Sequence, residues 1–478
     1  MKNKCRNTDS VIRAGEVLLT EEPFVFVLSS KEKGNRCDNC LEKGKVLKCS
    51  GCQFVHYCGR SCQKEAWNVH KWECNNLKRM SPKVIPDAAR MLARLINRLN
   101  RGDGASHRAF YTHSAFRTWR DLMSHYQDLK ADSRRMEHFT SLCAVLTDFL
   151  KDISMPNAVE MMGIYGRMVI NSFTILDVDM NSIGTGIYVG CSVVDHSCAP
   201  NAVATFTGRT ISVRATQDLP SLDWNQIRIS YIDLMKTPYE RQAELLQNYY
   251  FLCQCTRCLD ETQLKMVHAA KCLNDQCNNP VQIPWKKDVQ LVMRPDQDAE
   301  NKQNVPETNG YGYVDDVIHC SECGYKYTEQ HIEKFRKAME FTEVHIQEMK
   351  SASVAYVDVC KYCLSRQEGV LHALNVLRAQ TLDHALDALI QVQLWDHALE
   401  YADALIPCFR FYYGDRHPLL GLLHLKYGKI LLYKMDLQKA MDQLKKSEKI
   451  LKITHGDKHP LYREELLPLL RQAIAEAM

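Results

Sequence analysis

The stretch CDNCLEKGKVLKCSGCQFVHYCGRSCQKEAWNVHKWEC, residues 37–74, decides how the rest of the chain is read. It carries Cys37-x2-Cys40, Cys49-x2-Cys52, Cys58-x3-Cys62 and His70-x3-Cys74, eight soft ligands within 38 residues. That is enough for two tetrahedral zinc ions, and a C-x-x-C turn brings both of its thiolates to one metal. Cys58/Cys62 and His70/Cys74 stand at i,i+4, the spacing of one helix face. A segment this short buries no core of its own, so metal binding is expected to supply much of its folding energy.

The whole chain sets the context. Its 478 residues suggest about three domains. With 45% hydrophobic and 25% charged residues it reads as folded, neither disordered nor fibrous. A net charge of +4 is too small to indicate a nucleic-acid binder by itself. No apolar run approaches the ~20 residues of a membrane helix. The first residues, MKNKCRNTDSVIRAGEV, are polar and lack the apolar core of a secretory leader. A reducing compartment is therefore expected, where the 21 cysteines, clustered at short spacings, hold zinc and do not form disulfides.

Two further clusters follow. Cys253-x-Cys255-x2-Cys258 lacks a fourth ligand nearby; the best distant candidate is Cys198, in Asp195-His196-Ser197-Cys198-Ala199-Pro200-Asn201. A zinc shared in this way would clamp two distant segments. Cys272-x4-Cys277 and Cys320-x2-Cys323 form the two knuckles of a four-Cys zinc ribbon. The polar loop MRPDQDAENKQNVPETNG between them reads as exposed; two buried thiol pairs are the alternative. Cys5, Cys143, Cys191, Cys360, Cys363 and Cys408 lie mostly in apolar or helical patterns and read as buried thiols.

Along the chain, residues 11–28 hold two short β-like runs around a Gly turn. Residues 75–165 read as helical, with Met136, Phe139, Leu142, Leu146, Phe149 and Leu150 on one stripe. From about 165 to 232 the segments are short and β-branched, the pattern of a compact β domain. From about 330 the pattern is helical to the end. There Gly414-Asp415-Arg416-His417-Pro418-Leu419 recurs as Gly456-Asp457-Lys458-His459-Pro460-Leu461. Trp395-Asp396-His397-Ala398-Leu399 and Leu437-Gln438-Lys439-Ala440-Met441 resemble tetratricopeptide packing, with an unrelated helical bundle as the alternative. Such an array caps a site or offers a concave surface.

With Tyr57 before Cys58 and Trp67 before His70, residues 37–74 resemble a MYND zinc finger. The resemblance implies interleaved pairs: Cys37, Cys40, Cys58 and Cys62 on one ion, Cys49, Cys52, His70 and Cys74 on the other. It also implies proline-rich peptide partners. Lys43, Lys45, Lys48, Arg60, Lys64 and Lys71 read as a solvated face, which leaves nucleic-acid binding secondary. Downstream, Gly184-Thr185-Gly186-Ile187-Tyr188, the Asp195–Asn201 tract, Ile227-Arg228-Ile229-Ser230-Tyr231-Ile232-Asp233 and Tyr249-Tyr250-Phe251-Leu252-Cys253 follow in order. This set resembles the SET- and MYND-domain (SMYD) lysine methyltransferases over most of the chain, apart from the 272–323 ribbon. The implied fold is a multidomain α+β protein. A β-rich SET domain (1–36 and 166–235) is split by the finger (37–74) and a helical insertion (75–165). A post-SET zinc region (236–260), the ribbon (261–330) and a helical TPR-like domain (331–478) complete it.

The resemblance implies S-adenosylmethionine as cofactor, zinc as structural metal and a protein lysine, histone or other, as substrate. Tyr231 is then the catalytic tyrosine, and Phe173 and Tyr249 line the lysine channel. Phe251 packs on the adenine, the Asp195-His196 backbone cradles the cofactor, and His125, Asn171 and Ser192 contact it. An aromatic channel suits this chemistry: it holds the lysine stem, strips water and tolerates the cationic product. Orientation of the amine provides most of the rate. The chain departs from the pattern in three places. Lys2-Asn3-Lys4 stands where the opening glycine-rich tract belongs. Asp195 replaces the usual Asn, and Leu222-Asp223-Trp224-Asn225 replaces an acidic Gly-Glu-Glu turn. These motivate the alternative of a catalytically weak adaptor in transcriptional regulation. A monomer in cytoplasm and nucleus, without membrane association, is expected.

Overall fold

The computed structural model describes residues 11–151, 153–285, 317–351 and 356–477. Lys2-Asn3-Lys4, Cys5 and the loop at 293–310 lie outside the described residues. The chain forms two units, and neither is one continuous segment. The first takes residues up to His196, then Asn201–Ile229 and Ile453–Leu461. The second takes Ser197–Pro200, Ser230–Lys452 and the residues from Tyr462 on.

The first unit is built on six strands: β1 (Val17–Glu21), β2 (Val25–Leu28), β3 (Ser172–Leu176), β4 (Ser182–Ile187), β5 (Ala202–Thr207) and β6 (Thr210–Ala215). They form two antiparallel sheets, ordered β1-β6-β5 and β2-β4-β3. Period-2 alternation works as the sequence suggests: Ile211, Val213 and Ala215 of β6 point inward. The two β-like runs of residues 11–28 thus enter different sheets. The two glycines of Gly184-Thr185-Gly186 have a packing reason. A Cβ on Gly184 would sit 2.5 Å from the Val27 carbonyl oxygen, and one on Gly186 would sit 2.9 Å from the Tyr188 ring.

Helices α1 (Arg60–Met80), α2 (Asp87–Asn100), α3 (Ser133–Phe149) and α4 (Ala158–Asn171) complete this unit with shorter elements. Two expectations need correction. Cys58 is not on a helix face with Cys62: the chain is extended through Tyr57 and Gly59 and turns helical only at Arg60. Helix α4 runs past the expected boundary at 165 to Asn171, because Met161, Met162, Ile164, Tyr165 and Met168 continue one buried face. The 75–165 segment also contains a small hairpin, Ala109–Phe110 against Phe116–Arg117. The second copy of the tail repeat belongs to this unit: His459 Nε2 donates to the Phe206 carbonyl on β5 at 2.8 Å.

The second unit starts with α5 (Pro238–Tyr249), closed at its N-terminus by a Thr237/Glu240 capping box. A short pair, Ala270–Lys271 with Pro280–Val281, marks the ribbon. The tail is helical: α6 (Glu329–Ser351), α7 (Val357–Gln367), α8 (Val376–Gln391), α9 (Trp395–Tyr413), α10 (Pro418–Tyr433), α11 (Leu437–Thr454) and α12 (Leu467–Ala477). Consecutive helices from α6 to α10 pack on one another. Gly421 and Gly428 let α10 close on Leu451 and Leu444 of α11. Cys360 and Cys363 are buried beside Met349, as packed thiols. No helix among the described residues is long and apolar enough to cross a membrane.

Candidate active site and metal centres

The structure brings four ligand sets together, and within each the donor atoms lie within 4.8 Å of one another. Tetrahedral zinc with Zn–S near 2.3 Å places sulfurs roughly 3.8 Å apart. Cys40 and Cys58 stand at 3.8 Å, in a group with Cys37 and Cys62. Cys49 and Cys74 stand at 3.9 Å, grouped with Cys52 and His70. The pairs are therefore interleaved. Cys198, distant in sequence, meets Cys253 at 4.0 Å and Cys258 at 3.5 Å, with Cys255 completing the set. Cys272 meets Cys323 at 3.5 Å and Cys277 meets Cys320 at 3.7 Å. The spacing and soft-donor chemistry of all four sets fit zinc. Around the Cys198 set, Arg241 donates to Cys258 Sγ at 3.7 Å and Arg257 donates to the Cys198 carbonyl at 3.2 Å. Two buried guanidiniums there offset the negative charge that four thiolates leave on one dication.

The cofactor residues expected in the first unit share one architecture: loops strapped to helices and strands. Asn171, the last residue of α4, donates both Nδ2 hydrogens, to the Met123 carbonyl at 2.8 Å and the Arg167 carbonyl at 2.9 Å. Gly166 lies so close to the Ser124 carbonyl that a side chain would collide with it. These two residues hold the loop that ends in His125, which takes left-handed backbone geometry (φ 47°) and pairs with Asp128 at 3.0 Å. Ser192 sits in the turn after β4; its hydroxyl donates to the Val189 carbonyl at 2.6 Å. Asp195-His196 pairs in parallel with Arg228-Ile229, so the backbone expected to cradle the cofactor and the strand leading toward Tyr231 are hydrogen-bonded neighbours. Asn201 reinforces the pairing: it donates to the Gln226 carbonyl and accepts from the Arg228 N–H, both at 2.8 Å. Phe173 on β3 meets Tyr188 edge-on at 5.7 Å.

In the second unit Tyr231, Tyr249 and Phe251 form a half-buried aromatic row. Ring centroids of Tyr231 and Tyr249 are 5.1 Å apart, and those of Tyr249 and Phe251 are 6.5 Å apart. The row is made by a turn. Tyr249 ends α5, and Tyr250 takes left-handed geometry (φ 60°), reversing the chain. Gln242 then pins the Cys253 carbonyl at 2.8 Å, which holds the segment after the helix against α5.

Two supporting residues escaped the sequence reading. Glu21 accepts from the N–H groups of Gly190 and Cys191 at 3.0 and 2.7 Å. Burial pushes its carboxyl up and these N–H groups oppose the shift. Its signal was present: Glu21 stands in phase with the buried Leu19 on β1. Arg117 donates to the Ser192 carbonyl and hydroxyl at 2.6 and 3.0 Å. It has no local signal, because its partner is 75 residues away.

Comparisons with known proteins agree with this geometry. Residues 37–74 match the MYND finger family. The chain is 28% identical over 470 residues to human histone-lysine N-methyltransferase SMYD3, covering 97% of this chain and 94% of that protein. It is 27% identical over 476 residues to Arabidopsis thaliana histone-lysine N-methyltransferase ASHR1, covering 97% and 92%. It is 25% identical over 448 residues to Xenopus laevis N-lysine methyltransferase SMYD2-A, covering 93% and 91%. The matched finger, the four ligand sets and a likeness that runs nearly the full length of each relative make this chain similar to the SET- and MYND-domain lysine methyltransferases.

Proposed function

We propose that this protein transfers a methyl group from S-adenosylmethionine to the side-chain amine of a lysine in another protein, histone or non-histone. The observation that carries the reading is the Tyr231–Tyr249–Phe251 row, in a chain similar along its length to proteins named as lysine methyltransferases. S-adenosylmethionine, when bound, supplies an electrophilic methyl group on a sulfonium. The residues present suit it. With both Nδ2 hydrogens committed, Asn171 offers Oδ1 as an acceptor for an ammonium, and Asp195 adds an exposed carboxylate. Phe251 offers a ring face for a purine.

The remaining roles fall to this chain. Tyr249 and Phe173 hold the lysine stem and exclude water, so the amine is presented neutral and unsolvated. The Tyr231 hydroxyl orients the amine lone pair, and the ring faces accept the charge of the methylated product. The adaptor alternative is not favoured, because none of the departures removes Tyr231.

The test pairs the full chain with Tyr231→Phe, incubated with labelled cofactor and histone or cell-extract proteins. Transfer is expected to fall about a hundredfold, the scale of losing one polar group at a reacting centre. Equal labelling by both proteins overturns the role of Tyr231. Failure of S-adenosylhomocysteine to bind at high micromolar concentration in calorimetry overturns the enzyme reading. The finger, with Trp67 at 47% exposure, is proposed to dock proline-rich segments of partners. That contact survives Tyr231→Phe and is lost on Trp67→Ala. A monomer distributed between cytoplasm and nucleus completes the proposal, checked by sedimentation and by imaging of a tagged chain.

A further inference from the structure

Next to the zinc-ligating Cys74 on α1 stands Glu73, 0% exposed. His70 Nδ1 lies 3.1 Å from Glu73 Oε1. A carboxylate only accepts, so the hydrogen sits on Nδ1. Nε2, 3.6 Å from Cys52 Sγ, then keeps its lone pair toward the second ligand set. Two arginines of α2 grip the same carboxylate. Arg90 donates to it at 2.8 and 3.3 Å, and Arg94 at 2.7 and 3.2 Å. Each arginine is tied onward. Arg90 donates to Asp38 Oδ1 at 2.9 Å, beside Cys37, and Asp38 Oδ2 accepts the His56 N–H at 3.1 Å. Arg94 donates to the Phe26 carbonyl of β2 at 2.5 Å, and Arg98 donates to that of Phe24.

We propose that Glu73 is the positioning residue that fixes His70 on the second finger zinc, and that through Arg94 it links metal occupancy at that site to strand β2. The inference rests on the finger holding zinc. Two forked guanidiniums fix the plane of the carboxylate, which in turn fixes the tautomer and orientation of the imidazole. Loss of the metal frees His70 and leaves the Glu73–Arg94 contact without its inner anchor.

The experiment uses the full zinc-loaded chain. A chromophoric chelator competes for zinc with wild type and with Glu73→Gln. One ion of the variant is expected to bind about 10–100-fold more weakly while the others keep wild-type affinity. In cobalt-substituted protein the visible bands of the Cys3His site shift. Glu73→Gln with every ion at wild-type affinity and unshifted bands overturns the proposal. A wild-type finger that takes up no zinc overturns the zinc reading instead, so the two failures are distinct. The link to β2 is read by hydrogen exchange of Val25–Leu28. Chelation is expected to raise exchange there in wild type and to raise it less in Arg94→Lys, which keeps the charge but loses the fork. If Glu73→Gln does not fold, this second comparison stands alone, and equal responses overturn the link.

Discussion

At the residue scale, main-chain geometry does much of the positioning, and side chains act on it. Asp195 shows this. Its backbone pairs with Arg228, a contact indifferent to the side chain, while the side chain is exposed. Asp195→Asn is therefore expected to leave stability within about 0.5 kcal/mol, typical of a surface site. Its effect falls on cofactor affinity, since an amide donates where a carboxylate only accepts. Denaturant unfolding and calorimetry with S-adenosylhomocysteine separate the two. Gly184 is the opposite case. A single methyl there meets the Val27 carbonyl at 2.5 Å, so β2 has to move. Gly184→Ala is expected to destabilise by about 1–3 kcal/mol, read by the same unfolding experiment. Glu21 and Arg117 both hydrogen-bond to the Gly190–Ser192 turn, from partners far away in the chain.

At the scale of elements, three histidines share one device. Nδ1 of His372, His417 and His459 each accepts the N–H of the residue two further on, all at 3.2 Å. The tail repeat thus has a physical reason: His-Pro opens a helical segment with a neutral imidazole as cap and Pro in the first turn. A ring that accepts at Nδ1 cannot be protonated there, and burial lowers all three. For His417 the value falls to about 4 from an ordinary 6.5. The sign follows. A folded value below the unfolded one means the cap's contribution is full above pH 6.5 and is lost as pH falls toward 4. His417→Asn keeps an acceptor that does not titrate, so its melting temperature is expected to fall less than that of wild type across this window. The difference between the two curves reads the histidine, because thiolate protonation releases zinc over acidic pH in both proteins.

At the scale of the whole molecule, the metal sites hold segments that the chain separates. Cys198 belongs with Cys253, Cys255 and Cys258, and Cys272 with Cys323, 51 residues away. Elemental analysis of the purified chain is expected to find about four zinc ions, one per ligand set. Cys277→Ser is expected to lower that count by one and leave labelled methyl transfer within twofold of wild type, because the ribbon shares no residue with the aromatic row. A count of three in wild type, unchanged by the substitution, identifies the ribbon as packed thiols. The two units interleave along the chain, with crossings at 196/197, 200/201 and 229/230 among others.

Spacing alone determined much of the chemistry. Soft ligands at x2 and x3 intervals identify zinc because chelate turns are local, and a His-Pro cap repeats because its hydrogen bond spans two residues. The order of the four downstream tracts pointed to the family and to Tyr231, which the structure places in one aromatic row with Tyr249 and Phe251. Other features were decided only by the tertiary structure. The end of α4 at Asn171 came from a buried face that outlasts a local β-propensity. The extended chain through Gly59 kept Cys58 off the helix. The clamps of Glu21, Arg117 and Glu73 depend on partners that come within 3 Å only after folding, or close to it, and three of those partners lie 75 to 170 residues away. Local periodicity carries no record of such partners, because a buried charge is satisfied by whichever element the fold brings against it.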